Sequence, residues 1–394
     1  MSINYQDLHN QLAGYVEFAR LQQERQTEVK AKAMELLQAN AYDLANLGKK
    51  LERASKQVPS LRCAAPVKEP LTFRQAAPQL PVQSTIVAAD GSQILADRHS
   101  EVQYSLINVG AIQMKIGTSE APQVSIISQL LRSGNEPNEE MITEEILALK
   151  RDVAERNRLA DLADGADPPV ITFTDGPMEL WGGWESTNSE DRVFQENLAA
   201  YIQALDRLCE RNVATAGYVD KPGSALVIRL LELAMTPVAH FNELTKTNPL
   251  YGITDATLFR EILQPGERSA VFALHSRFAN RYSGRRRLHF FYLNVGTAIQ
   301  PWLARVEIPA WVEEDASLLN GVHAALMHQC QAFGANPYPY LLHRAHEAAV
   351  VTLRDREEVT QMIIAELLKR GIPIERQSNK QYLKDRPGRS HHRL

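Results

Sequence analysis

Two apolar segments that each end in an aspartate followed by glycine constrain the fold of this chain most strongly. Residues 84–91 (STIVAADG) end in Asp90 and a glycine, and residues 169–176 (PVITFTDG) end in Asp175 and a glycine. Both segments are β-prone and long enough for a buried strand. A single Asp-Gly pair is typical of a turn. Two strands that each deliver an aspartate instead predict a site for a divalent cation, because such cations take carboxylate oxygens.

The order of the predicted elements around these aspartates favours one fold. Residues 102–114 and 124–131 alternate like two further strands, and residues 138–163 have helical composition before the strand that carries Asp175. Three antiparallel strands, a helix and a fourth strand form the order of an RNase H-like core, in which the first and fourth strands are neighbours. The sequence therefore predicts an α/β fold with an RNase H-like mixed sheet flanked by helices, and with Asp90 facing Asp175.

Composition divides the chain into four predicted parts. Residues 1–57 contain an N-terminal helical arm with apolar residues at helical spacing, and residues 58–83 are rich in proline and indicate a linker with little regular structure. Residues 84–376 form the α/β domain with helical insertions, and the basic residues 377–394 form a mobile tail. The arm is either a solvated helix packed on its own domain or a segment that dimerises or grips a partner.

Charge and cysteine content limit the partner and the compartment. The 394 residues carry 43 Lys and Arg against 47 Asp and Glu, a formal charge of −4, so a nucleic-acid partner would have to meet local basic patches. The three cysteines are far apart without CxxC spacing, which indicates neither a zinc module nor disulfides and suits the cytoplasm. The N-terminus lacks a signal sequence, and no apolar stretch predicts a membrane span.

Several motifs, in their order along the chain, resemble the NurA family of nucleases. They are VAADGS at 87–92, FTDGP at 173–177, GYVDKP at 217–222, PGERSA at 265–270, YPY at 338–340 and AHE at 345–347. The motifs GYVDKP and PGERSA look like those of bacterial members, cyanobacterial ones included. The resemblance covers residues 86–380, which is most of the chain.

The resemblance implies manganese-dependent cleavage of DNA, with magnesium as the alternative ion, on an RNase H-like fold. It also implies a homodimer that works with a hexameric HerA-type ATPase in processing the ends of DNA double-strand breaks. The chain has no nucleotide-binding loop of its own. By position, Asp90 and Asp175 would be the metal ligands of the first and fourth strands. Glu155 would be the ligand from the helix, because residues 151–155 (RDVAE) resemble an Arg-x-x-x-Glu pattern of the family.

Two C-terminal residues also match the family, and each has a second interpretation. By resemblance His346 would be a metal ligand, and imidazole suits manganese better than magnesium; Tyr338 would be catalytic. Without the resemblance His346 would be a packed structural histidine, and Tyr338 a core aromatic residue beside proline. Pro177 departs from the family, because many members have serine after the Asp-Gly pair. This proline removes a backbone N–H but leaves the carboxylate of Asp175 in place.

Two basic elements are candidates for contact with DNA. Lys221 lies at a strand-to-loop boundary, and Arg285, Arg286 and Arg287 form the densest basic cluster in the middle of the chain. Lys221 is either a surface lysine or a phosphate contact, and the arginines are either a solvated turn or part of a DNA path. The sequence as a whole predicts a metal-dependent DNA nuclease. The alternative is a catalytically silent NurA-like subunit that binds DNA or regulates an ATPase complex.

Overall fold

A computed structural model of the chain describes residues 3–97, 100–131, 142–181, 188–244, 246–334 and 336–373. Within these ranges the α-helices are α1 (Tyr5–Ala39), α2 (Leu44–Gln57), α3 (Glu144–Asp164), α4 (Asn188–Glu210), α5 (Leu226–Met235), α6 (Asp255–Arg260), α7 (Ala310–Glu314), α8 (Ala316–Gln331), α9 (Tyr340–Ala349) and α10 (Leu353–Lys369). The strands are β1 (Cys63–Pro66), β2 (Arg74–Gln75), β3 (Ser84–Ile94), β4 (Ser105–Ile116), β5 (Gln123–Leu131), β6 (Val170–Asp175), β7 (Ala214–Val219), β8 (Arg268–Ser269), β9 (Phe272–His275), β10 (Leu288–Asn294) and β11 (Leu303–Pro309). Short 3₁₀ turns lie at Val238–Glu243, Ala279–Arg281 and Gly284–Arg286.

The chain forms two compact units. The first, here called the arm unit, comprises Met1–Pro81, Gly176–Met178 and Ala214–Tyr340. The second, here called the acid unit, comprises the described residues of Val82–Asp175, Glu179–Val213 and Leu341–Leu394. The division at residues 57, 83 and 376 stays a prediction, and the predicted tail at 377–394 lies outside the described residues.

A mixed sheet with the strand order β6-β3-β4-β5 forms the centre of the acid unit. β3 pairs antiparallel with β4, and β4 with β5, whereas β6 lies parallel to β3. Helix α3 packs against the sheet and α4 packs on α3. The order of three antiparallel strands, a helix and a fourth strand beside the first confirms the predicted RNase H-like mixed sheet flanked by helices.

The two strands that carry the aspartates are buried until they reach them. β3 is buried along residues 84–89 and β6 along residues 170–174, as expected of central strands that are apolar on both faces. Exposure increases at Asp90 and at Asp175. The apolar run of each strand therefore fixes the strand in the core. The aspartate that follows the run carries a carboxylate that can stay partly solvated.

Antiparallel strands in the order β1-β9-β10-β11-β7 form the sheet of the arm unit, with β8 paired to β10 and β2 paired to β8. Residues 58–83, which the sequence predicts to be a linker with little regular structure, contain β1 and β2 and bury Leu61 and Leu71. Pro66 is tolerated because β1, in the described part of the chain, pairs with β9 alone. Pro66 stands at the end of this edge strand, where a missing N–H breaks no central ladder.

The predicted helical arm consists of α1 and α2. The C-terminal half of α1 packs into the arm unit through Ala33 and Leu37, and Lys30 forms an ion pair with Glu261. The N-terminal half of α1 leaves a series of apolar side chains exposed, namely Tyr5, Leu8, Leu12, Tyr15, Val16, Phe18 and Leu21. None of the helices in the described ranges combines the length and the apolar character that a membrane span needs.

Candidate functional site

Asp90 lies within β3, and Asp175 is the last residue of the neighbouring strand β6. The parallel register of β3 and β6 pairs Ala89 with Thr174, and the next residue on each strand is the aspartate. Since side chains alternate between the faces of a sheet, residues paired in register project from the same face. The fold therefore brings two carboxylates to one face of the sheet in the acid unit.

His346 reaches the same face from α9. Its Nδ1 lies 2.7 Å from Oδ2 of Asp90, within hydrogen-bond distance. The other carboxylate oxygen of Asp90, Oδ1, accepts a hydrogen bond of 2.8 Å from the backbone N–H of Gly91. Both oxygens of Asp90 are thus held in a defined orientation.

A close approach between α9 and β4 positions His346. Gly110 pairs directly with Asp90, so both face the same side of the sheet. A Cβ atom at Gly110 would lie 2.6 Å from the backbone nitrogen of Ala349 and 2.7 Å from the backbone oxygen of Ala345. Ser92 and Asn108 then donate hydrogen bonds of 2.5 and 2.8 Å to the backbone oxygen of Ala349. These contacts fix the end of α9 over the sheet.

Glu155 approaches from the opposite face of the sheet. Gly91 follows Asp90 on β3, so the two residues point to opposite faces. A Cβ atom at Gly91 would lie 2.7 Å from Oε1 of Glu155 and 2.6 Å from Cγ of Arg151, both on α3. The missing side chain of Gly91 therefore leaves the space into which Glu155, which is only 6% exposed, projects.

Two arginines and a further acid surround Glu155 on α3. Nε of Arg151 lies 3.3 Å from Oε1 of Glu155, and an Nη of Arg151 lies 2.9 Å from Oδ1 of Asp152. Arg156 is fully buried, donates a hydrogen bond of 2.9 Å to Oγ1 of Thr174, and lies over the ring of Tyr201. Arg156 thus ties α3 to the strand residue that precedes Asp175.

Burial and mutual repulsion disfavour the ionised form of the carboxylates in this cluster. The pKa of Glu155 is raised well above its usual range by burial, with repulsion from Asp152 and Asp90 adding to the shift and Arg151 and Arg156 opposing it. The pKa of Asp152 is also raised, first by burial, with attraction to Arg151 opposing the shift. Clustered acids of this kind favour a cation among them.

The NurA domain model matches residues 84–351 of the chain, which is more than half of its length. The chain belongs to the NurA family. The match extends over the described strands of the acid unit and ends just after α9, so it includes each of the acids described above. No curated protein matches the chain.

Solved structures that are similar to this NurA-family chain include three that follow, each at low identity. The NurA nuclease from Sulfolobus solfataricus is 12% identical, with a TM-score of 0.47 over 84% of this chain and 95% of that chain. Endonuclease V from Ciona intestinalis in complex with DNA is 10% identical, with a TM-score of 0.31 over 72% and 89%. The catalytic domain of human endonuclease V is 12% identical, with a TM-score of 0.33 over 80% and 95%.

The remaining candidate residues of this NurA-family chain belong to the arm unit. Tyr338 contacts Tyr218 edge-to-face, with ring centroids 5.6 Å apart. Lys221 has a left-handed backbone with φ of 44°, and its Nζ lies 4.5 Å from the ring centre of Trp302. The arginines 285–287 lie in and just after a 3₁₀ turn, where two of them form hydrogen bonds to Ser283 and Gly284.

The donor set fits a divalent cation by its chemistry but is not assembled as a closed cage. Carboxylate oxygens and an imidazole are ligands that manganese accepts. The pKa of Glu155 is raised first by burial and further by repulsion from Asp152 and Asp90, a repulsion that a cation would relieve. Among the residues that the structure describes, no three His, Cys, Asp or Glu side chains form a group ready to hold a metal ion. Glu155 comes from one face of the sheet, whereas Asp90 pairs with His346 on the other.

The sequence predicts Glu155 and His346 as candidate ligands, and the structure adds two residues that affect them. Asp152 stands three residues before Glu155, and Gly110 stands opposite Asp90. The spacing of Asp152 and Glu155 places both on one face of a helix, so the sequence itself indicates that Asp152 lies beside Glu155. The requirement for glycine at 110 has no local signal, because it depends on where α9 returns to the sheet.

Proposed function

We propose that this chain is a metal-dependent DNA nuclease that hydrolyses phosphodiester bonds by chemistry of the two-metal type. Membership of the NurA family supports a DNA nuclease. The observation that carries the proposal is the convergence of Asp90, Asp175 and His346 on one face of the sheet, with Glu155 projecting beside Gly91 from the other face.

The surroundings of each residue indicate its role in the proposed reaction. Asp90 and Asp175 would supply carboxylate oxygens to the ion, and Glu155 on α3 would add negative charge that balances the charge of the cation. His346 would favour manganese over magnesium. A bound divalent cation would supply an activated water and neutralise charge that grows on the phosphate. The hydrogen bond from Arg156 to Thr174 holds the end of β6 in place, and that from the Gly91 N–H orients the carboxylate of Asp90.

The exposed part of α1 supports the proposed partners. An apolar surface on residues 5–21 of a long helix is typical of a segment that binds another protein. The NurA resemblance points to a homodimer and to a hexameric HerA-type ATPase that acts with it on the ends of double-strand breaks. This half of α1 would contribute to one of those two contacts.

Truncation tests the role of α1. Removal of residues 1–24 spares Ala33 and Leu37, which pack into the arm unit, so the remaining protein should keep its fold. We expect the truncated protein to lose either its dimeric mass in light scattering or its affinity for the ATPase ring. An unchanged mass together with an unchanged ring affinity would refute this assignment.

A catalytically silent NurA-like subunit is the second candidate. The observation that favours it is that, within the described ranges, no three potential ligands already form a metal group. Such a subunit would bind DNA or regulate the ATPase without cutting DNA.

One cleavage assay separates the two candidates. Linear DNA labelled at either end, in single- and double-stranded form, and circular single-stranded DNA are incubated with manganese, magnesium or a chelator. We expect cleavage with manganese, weaker cleavage with magnesium and none with the chelator. Binding without cleavage in every metal would favour the silent subunit, and the circular substrate reports endonucleolytic cuts.

A further inference from the structure

Arg151 occupies an unusual place between the acids of the candidate site. Its guanidinium contacts Glu155 at 3.3 Å and Asp152 at 2.9 Å, and it interacts electrostatically with Asp90. The stem of Arg151 packs against Gly91, where a Cβ atom would lie 2.6 Å from its Cγ. Arg151 therefore brings positive charge to the carboxylates that the proposed function assigns to the metal ion.

The contact between Arg151 and Glu155 is electrostatic and loosely held. Nε of Arg151 is buried, and among the described residues it has no hydrogen-bond partner of good geometry, despite its distance to Oε1 of Glu155. The side chain as a whole is 31% exposed, so a route to solvent is open to the guanidinium. The guanidinium of Arg151 can therefore move away from the carboxylate of Glu155 without breaking a well-aligned hydrogen bond between the two.

Arg156 provides the contrast on the same helix. It is only 1% exposed, and it is held by its hydrogen bond to Thr174 and by the ring of Tyr201, whose centre lies 5.3 Å away. Arg156 is therefore a fixed part of the packing between α3 and β6. Arg151, by contrast, is 31% exposed and donates its hydrogen bond of 2.9 Å to Asp152, a neighbour on its own helix, so less of the surrounding structure holds it.

We propose that Arg151 is the internal counter-ion of the acids Asp90, Asp152 and Glu155, and that a divalent cation binds in competition with its guanidinium. This inference rests on the proposed function, since it concerns the same acids. Without metal, Arg151 reduces the repulsion between the carboxylates. With metal, its charge repels the ion, and the guanidinium moves away from Glu155.

The test measures manganese affinity directly, by calorimetry on the full chain without DNA. The variants are Arg151→Gln, which removes the charge, and Arg151→Lys, which keeps the charge but loses the planar fork. Arg158→Gln is the matched control, because Arg158 lies two turns further along α3 and donates to Ser125 at 3.2 Å. That contact holds the guanidinium of Arg158 against β5, and the charges that most affect the pKa of Glu155 are those of Asp152, Arg151, Asp90 and Arg156.

We expect Arg151→Gln to bind manganese about tenfold more tightly than the wild type, because one repelling charge near a divalent ion is removed. Arg151→Lys should lie between the two, and Arg158→Gln should match the wild type. A second readout is the rise in unfolding temperature on adding manganese. It should be largest for Arg151→Gln, whose metal-free form should melt below the wild type.

The outcomes separate this inference from the proposed function. Manganese affinity that is equal or weaker in Arg151→Gln would overturn the counter-ion role, and would leave the nuclease proposal standing if the wild type binds the ion. Absence of manganese binding to the wild type and to every variant would overturn both. If Arg151→Gln does not fold without metal, the comparison of Arg151→Lys with the wild type decides, and an unchanged affinity there would overturn the inference.

Discussion

Asp90 on β3 and Gly110 on β4 are direct partners across the antiparallel ladder, and the backbone of α9 lies against the glycine. The same helix carries His346, whose Nδ1 lies 2.7 Å from Oδ2 of Asp90. A residue without a side chain therefore sets the distance between an acid from the sheet and a histidine from a helix that follows more than two hundred residues later.

The Gly110→Ala variant should displace α9 and with it His346. The added methyl group would meet backbone atoms of Ala345 and Ala349, which cannot swing away as a side chain would. We expect the free energy of unfolding in urea to fall by about 1–3 kcal/mol, as for other overpacked sites, and cleavage to be lost. Gly48→Ala on α2 is the control, because nothing lies within 4 Å of its Cβ position. Cleavage by Gly110→Ala at the wild-type rate would contradict the role of Gly110 in positioning α9 and His346.

The His346→Ala variant should lower cleavage and reduce the preference for manganese. Its imidazole is a softer ligand than a carboxylate and discriminates in favour of manganese. The measurement is the ratio of initial cleavage rates in manganese and in magnesium. His343→Ala on the same helix serves as the control, and its ratio should equal that of the wild type. An unchanged ratio in His346→Ala would mean that the histidine only orients Asp90.

Replacement of Arg285, Arg286 and Arg287 by glutamine should weaken DNA binding for all sequences alike. Phosphate contacts release counterions, so the logarithm of the affinity falls with the logarithm of the salt concentration by about one unit per contact. We expect a shallower salt slope in fluorescence anisotropy. The matched control replaces Arg354 and Lys369 of α10 and Arg370, which follows it; all three are exposed and paired with glutamates. An unchanged slope would assign the cluster to a solvated turn.

The raised pKa of the buried Asp255 leads to a prediction of how the stability of the arm unit depends on pH. Its buried carboxylate accepts hydrogen bonds from the N–H groups of Val227 and Ile228 and from Tyr292, yet burial raises its pKa to about 6. The folded state thus holds the proton more tightly than the unfolded state, so stability falls as pH rises towards this value. Relative to Asp255→Asn, the wild type should lose about 3 kcal/mol of unfolding free energy between pH ~4 and ~7. Parallel pH profiles of the two proteins would contradict this.

The sequence predicts the parts of the site that local patterns encode. The apolar runs before Asp90 and Asp175 define β3 and β6, and their order with the intervening helix defines which strands are neighbours. The exposed half of α1 and the burial of β1 within the proline-rich residues 58–83 depend on tertiary packing, which periodicity does not report. The competition between Arg151 and a cation likewise emerges only when α3 and Gly91 are in contact.

The central claim is that Asp90 holds the ion on which cleavage depends. Asn in its place keeps the size and hydrogen-bonding capacity but removes the charge, and DNA binding, which rests on basic groups, should survive. The most direct measurement is manganese-dependent cleavage of end-labelled DNA by the wild type and by Asp90→Asn at equal DNA occupancy. We predict that Asp90→Asn binds DNA and does not cut it. Cleavage by Asp90→Asn at the wild-type rate would contradict the account.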